Sequence, residues 1–362
     1  MLIIGIISDA LLYLCFSLLM GSFLLQLVPQ SLRPSITIPK GVLLLATLGI
    51  VFFSFMPVLK LVLYLYQDLG LGYTLKSVLT SFETGKSWLI TGVLSLFLFI
   101  YLIPIKLERN PVFAATGLLF TLLLIAALGW SSHAGSLAKP AGVFIHSAHF
   151  LAITTWVGIL LVVSWFSRDY KNWLNFLKWF SPLAIVCLIV TGISGIALMT
   201  FVMDLKDYIN TWPLSYGQAL LIKHLAIIPL VIFAFINSVL IRKKIHKDES
   251  FNPLPWAKLE GVVVLLIFSI TAALGQESPP HTIERTLNAE GPSSLFTFFH
   301  RNELVFPIQF TPGFLSISLF LIALFSLALV VLSFIKKMPK LLALLFSILF
   351  IVTSYIGILL GT

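Results

Sequence analysis

Residues 129–160 read GWSSHAGSLAKPAGVFIHSAHFLAITTWVGIL. An apolar run closes on Gly129 and Trp130, a short polar turn carries His133 and Lys139, and a second apolar run follows, interrupted only by His146 and His149. Two long apolar runs joined by a turn read as a helical hairpin across a membrane. His146 and His149, three residues apart, fall on one helical face. Imidazoles at a membrane boundary ask for a reason.

The rest of the chain agrees with the hairpin. Of 362 residues, 59% are hydrophobic and 10% charged, and the mean hydropathy is +1.05. Such a chain does not dissolve as a globular domain, and its repeated apolar stretches predict an all-α, polytopic transmembrane helix bundle. Ten spans are expected, at about 6–28, 41–66, 87–105, 111–131, 142–167, 179–203, 216–241, 256–276, 313–335 and 340–361. The first run lacks a basic leader and a small-residue cleavage site, so it reads as a retained helix. Cys15 and Cys187 lie inside apolar runs and form no CxxC pair.

The formal charge of +9 would suggest nucleic acid in a soluble protein. Here the basic residues sit in short loops, so they set orientation and no nucleic acid is implied. Arg33, Lys40, Lys106, Arg109, Arg168, Lys171, Lys178, Arg242, Lys243, Lys244, Lys247, Lys336, Lys337 and Lys340 fall on one side of the ten-span scheme, and Lys76, Lys86, Lys139, Lys206, Arg285 and Arg301 on the other. The positive-inside rule then puts both termini outside the cytoplasm. That orientation brings six of the seven histidines to or toward the outer face, leaving His246 inside.

The candidate ligands follow. His133 ends the fourth span, His146 and His149 begin the fifth, His224 lies about eight residues into the seventh, and His281 follows Pro279-Pro280, whose rings stiffen its position after the eighth. Met199 and Met203, four apart at the outer end of the sixth span, share a face with Gly192 and Gly195, which admit a neighbouring helix. Imidazole with thioether suits copper among biological metals, and no carboxylate-rich set calls for magnesium or calcium. Each residue also has a plain reading: a lone interfacial histidine is usually hydrogen-bonded, methionine fills gaps, and Trp156 with Gly158 is a large and a small residue packing a neighbour. Tyr216, Lys223 and Asn237 share a face of the seventh span, where a lysine and an asparagine must find partners. The plain reading has Lys223 reaching the interface, Asn237 bonding another helix, and Glu260 pairing with the basic run 242–244.

Taken in order, His133-Ala134, His146-Ser147-Ala148-His149, Trp156-Val157-Gly158, Tyr216-Gly217, Lys223, Asn237, Arg242, Glu260 and Pro279-Pro280 resemble the CopD family of bacterial copper-resistance and copper-uptake membrane proteins. The resemblance covers residues 1–281, an eight-helix membrane domain. It implies a multi-pass protein of the bacterial cytoplasmic membrane that handles copper, with a CopC-type periplasmic or extracellular donor as partner besides lipid. Residues 282–312 then form an extracytoplasmic loop or short amphipathic helix, and 313–362 two additional spans.

These readings combine into one expectation. His133, His146, His149 and His281 hold a copper ion at the outer face, with Met199 and Met203 nearby and His224 deeper. Two rivals stay open: a b-type haem electron-transfer protein, with His149 and His224 as axial ligands, and a non-transporting copper-transfer platform. No Walker A pattern is present and no nucleophile stands beside a base, so neither an ATP-driven pump nor an enzyme is expected.

Overall fold

A computed structural model describes residues 1–105, 110–280, 282–300 and 306–362. Ten of its helices are long and apolar enough to cross a membrane. No strand occurs among the described residues, and an isolated bridge pairs Ile36 with Ser167. The all-α bundle expected from hydropathy is therefore what the chain forms. It divides into two compact units, Met1–Phe201 and Val202–Thr362.

The first unit contains α1 (Leu2–Leu27), α2 (Lys40–Ser54), α3 (Met56–Leu69), α4 (Leu71–Ser81), α5 (Glu83–Leu102), α6 (Pro111–Trp130), α7 (His133–Leu137), α8 (Ala141–Phe166) and α9 (Trp173–Thr200). At its centre α1 and α8 run side by side in the same direction. Phe16 and Tyr13 meet Phe150 edge-on, with centroids 5.1 and 5.8 Å apart, and further along Gly21 lies against Gly158. A Cβ on Gly158 would run into the Ser17 carbonyl, and one on Gly21 into the Gly158 carbonyl. Main chain therefore meets main chain, a packing that lipid-embedded helices reach only through small residues. Gly158 thus packs a neighbour, as its plain reading held.

The second span differs from its expected outline. The chain breaks at Phe55 ahead of Pro57, whose ring cannot continue a helix interior, and restarts as α3; α4, absent from the sequence reading, follows a left-handed Gly70 (φ 76°). At one end of the unit the 28–40 segment is sewn to the turn after α8. Arg168 N donates to Ser35 O at 2.8 Å, Thr37 N to Phe166 O at 3.2 Å and Trp179 Nε1 to Leu32 O at 2.9 Å. Arg33, expected as a loop charge, is buried there, its Nε on Val28 O.

The second unit contains α10 (Ser215–Phe235), a π turn (Ile236–Leu240), α11 (Ile241–Lys247), α12 (Leu254–Leu274), α13 (Ile283–Glu290), α14 (Ser294–Phe299), α15 (Phe314–Ile335) and α16 (Lys340–Leu359). Gln218, buried on α10, donates to Trp212 O and accepts from the Tyr355 hydroxyl of α16, so the last span is keyed to the seventh by a polar contact. The 277–312 stretch, expected to fold back as a short helix, supplies two, α13 and α14.

Replacing Gly158 or Gly21 with leucine forces backbone apart and should cost about 1–3 kcal/mol or more. Gly192→Ala, with nothing within 4 Å of the added methyl, should cost nothing. Thermal unfolding of the purified variants in detergent reads both; equal melting temperatures would contradict the close α1–α8 crossing.

Candidate functional site

In the first unit the histidines gather at the end away from the 28–40 segment. Three glycines let the chain double back there: a Cβ on Gly142 would meet the Ala134 carbonyl, one on Gly129 the Ser147 hydroxyl, and one on Gly135 the Gly129 carbonyl. Ser132 caps α7 by accepting from Gly135 N at 3.0 Å. His133, the first residue of α7, is exposed and within electrostatic reach of His146.

His146 and His149 stand one turn apart on α8, both half-buried. The His146 ring stacks on Phe150 at 6.5 Å, and its Nδ1 is sealed from solvent without a hydrogen-bond partner among the described residues. Ser147 Oγ beside it is in the same state. Buried polar atoms are nearly always satisfied, so these two adjacent atoms make this turn of α8 the candidate site.

His149 is held from the facing helix. Its Nδ1 lies 2.9 Å from Ser194 Oγ, and Ser194 Oγ gives its single hydrogen to Val190 O at 2.5 Å. A serine hydroxyl has one hydrogen to give, so here it accepts: His149 carries its proton on Nδ1 and its lone pair on Nε2. A hydrogen bond of this kind commonly orients a metal-ligating histidine. Gly195 lies under the ring, where a Cβ would stand 3.4 Å from His149 Cε1.

Two turns along, the Cys187 thiol lies close to the backbone of Trp156. Both pairs, 149 with 194 and 156 with 187, fit one antiparallel register, so His149 and Cys187 lie on the same α8–α9 seam, offset by about 10 Å along the helix axis. Thr191 lies between them, its Oγ1 buried and unpartnered among the described residues. Ser194 and Thr191 went unmarked in the sequence, where the only signal was small polar residues spaced near Gly195.

The methionines do not share a helical face as expected. α9 stops at Thr200, leaving Met199 in its last turn and Met203 beyond it, in the second unit. Gly192, expected to admit a neighbour, has none within 4 Å. His281 lies outside the described residues. Among those described, no group of three or more His, Cys, Asp or Glu side chains is placed to hold a metal ion.

His224 belongs to the second unit, where its Nδ1 lies 2.8 Å from the Tyr208 hydroxyl. Burial pushes the Tyr208 phenol up to about 12, and its hydroxyl engages Nδ1 of His224. The 205–213 segment around Tyr208 is covered by the loop helices: Ser293 N donates to Pro213 O at 2.7 Å, Ile308 N to Asn210 Oδ1 at 3.0 Å, and Phe296 is buried with Trp212, Leu221, Leu225, Tyr355 and Leu359. His300, stacked on Phe296, reaches the Thr362 carbonyl at 3.2 Å. At the other end Asn237 bonds α12, as its plain reading held, through Glu260 Oε2 at 2.7 Å and Trp256 O at 3.2 Å. Glu260 does not pair with the basic run; its side-chain partner is Asn237.

Ten apolar helices with imidazoles at one end of a glycine-cleared hairpin define a multi-pass helical membrane protein with candidate soft-ligand chemistry. Comparison with known proteins adds a likeness to one family. Residues 174–274, which include Tyr216-Gly217, Lys223, Asn237, Arg242 and Glu260, match the family model described as copper resistance protein D, CopD, and bear out the resemblance over that stretch. The chain is similar to copper transport protein CutJ of Bacillus subtilis (strain 168), 28% identical over 214 residues, covering 56% of this chain and 38% of CutJ. It is also similar to inner membrane protein YebZ of Escherichia coli (strain K12), 27% identical over 211 residues, covering 53% of this chain and 69% of YebZ. The chain thus aligns with well under half the length of CutJ, and no solved structure matches. The chain is thus a multi-pass helical membrane protein whose residues 174–274 are similar to the CopD model.

Phe296→Ala should unseat α14 from the 205–213 segment, at about 3–5 kcal/mol for a buried phenylalanine. Limited proteolysis should then cut between residues 282 and 300 several-fold faster. An unchanged rate would mean that Phe296 does not hold this cover down.

Proposed function

We propose that this protein captures copper at the histidine-bearing end of its first unit and mediates its uptake across the inner membrane. The observation that carries the reading is the state of the two α8 imidazoles. His149 is oriented by Ser194 with its lone pair on Nε2, and His146 one turn away has a sealed, unpartnered Nδ1. Two imidazoles are a starting set for copper, and a thioether favours the reduced ion.

His133, exposed at the start of α7, receives the ion first, with Met199 in the last turn of α9 as a thioether donor. His224, Met203 and His281 are kept as further ligands on the sequence argument alone. Copper is the cargo, so its ligands must release as well as bind. The α8–α9 seam from His149 past Thr191 to Cys187 offers the next soft donor inward. The names of the CopD family and of CutJ support copper as the ion.

The charge rule places the histidine end outside, facing a CopC-type donor. An inside-negative potential then favours cation entry by about 2.3 kcal/mol per charge per 100 mV. Uptake is the downhill direction, and no nucleotide chemistry is required.

Metal analysis of the purified chain equilibrated with copper should find the ion bound, with binding lost in His146→Ala and His149→Ala. Ser194→Ala should weaken affinity by about 10–100-fold, the usual cost of losing a group that orients a ligand. Copper accumulation in proteoliposomes separates transport from a transfer platform, which would bind without accumulating. A red preparation with a Soret band, lost in His149→Ala, would replace the copper reading with haem.

A further inference from the structure

Glu260 stands six residues into α12, about 9 Å along the helix from Leu254. It is 3% exposed, enclosed by an apolar shell in which Trp256 packs against Phe233 at 6.5 Å and Phe334 at 5.1 Å. An ionised carboxylate in such a place costs several kcal/mol unless a cation pairs with it.

No cation does so among the described residues. On the elements packed against Glu260, the titratable and charged groups are Arg242, Lys243, Lys244, His246 and Lys247 of α11, Lys258 of α12, Tyr216, Lys223 and His224 of α10, and Lys340 and Tyr355 of α16. None forms an ion pair with it. Its one polar neighbour is Asn237, 7% exposed. Both Asn237 amide hydrogens are spent, one on Glu260 Oε2 and one on Trp256 O, while Asn237 Oδ1 is sealed without a donor. The pair is therefore short of one positive charge and one hydrogen.

A proton supplies both. A metal cation fits worse, since it needs several oxygens and here an amide N–H2 occupies the carboxylate's side. Asn237 also lies in the π turn Ile236–Leu240, an irregularity often found at functional sites and a place where a helix can change pitch. This turn leads directly into the basic α11.

We propose that Glu260 is a proton-carrying site of the second unit, holding one proton while sealed against Asn237 and exchanging it with water at the end of the unit that bears α11. The step is carboxylate plus a proton from water on that side giving the carboxylic acid, with no electron transferred. It uses none of the proposed copper ligands, so it stands or falls separately from the copper reading.

Infrared difference spectroscopy of the full chain in lipid vesicles, titrated from acid to alkaline pH in H2O and D2O, tests it. Expected is a carboxylic-acid C=O band that persists at pH 7, moves in D2O and disappears in Glu260→Gln. Asn237→Ala should shift its frequency, because Asn237 donates to that carboxyl, and this variant decides the matter if Glu260→Gln fails to fold. A wild-type spectrum without the band at pH 7, a band unchanged in both variants, or loss of the band on adding sodium or potassium at fixed pH would overturn the proposal.

Discussion

The structure of the first unit depends on one contact in which side chains are absent. Where α1 crosses α8, Gly21, Ser17 and Gly158 bring two backbones together. In lipid there is no hydrophobic gain from pairing two apolar helices, so association rests on close van der Waals fit, and small residues allow the closest fit. With the crossing set, the rest of α8 follows. Phe150 meets Phe16 and Tyr13, and the next turn presents His146 and His149 at the end of the unit where α7 doubles back. A crossing residue far from the imidazoles thereby decides their depth.

The second unit solves the same packing problem with polar groups. Gln218 joins Trp212 to Tyr355, Asn237 joins the π turn to α12, and Tyr208 anchors His224. Each is a hydrogen bond whose alternative is an unsatisfied group in hydrocarbon, so each specifies which helices are neighbours. The two spans that follow the loop, α15 and α16, are in this way built into the unit that holds α10.

Hydrogen bonds from neighbouring elements orient both histidines. Ser194 accepts from His149 Nδ1, and the Tyr208 hydroxyl stands 2.8 Å from His224 Nδ1. Two imidazoles alike in the sequence thus differ in the structure in what holds them, a serine of the facing helix in one unit and a tyrosine of the 205–213 segment in the other.

Much was determined by the sequence alone. Ten apolar runs dictate ten spans, since backbone in lipid must satisfy itself within helices, and the order of His146, Gly158, Asn237 and Glu260 carries the CopD likeness. The sequence could not show the partners across helices. That Glu260 meets Asn237 instead of the basic run, that α9 ends at Thr200 and parts Met199 from Met203, that Ser194 orients His149, and that Gln218 keys α16 to α10 were decided by tertiary packing. Hydropathy counts the cost of leaving water and is nearly blind to rotation about a helix axis. That rotation, set by small-residue crossings and buried hydrogen bonds, determines which side chains meet.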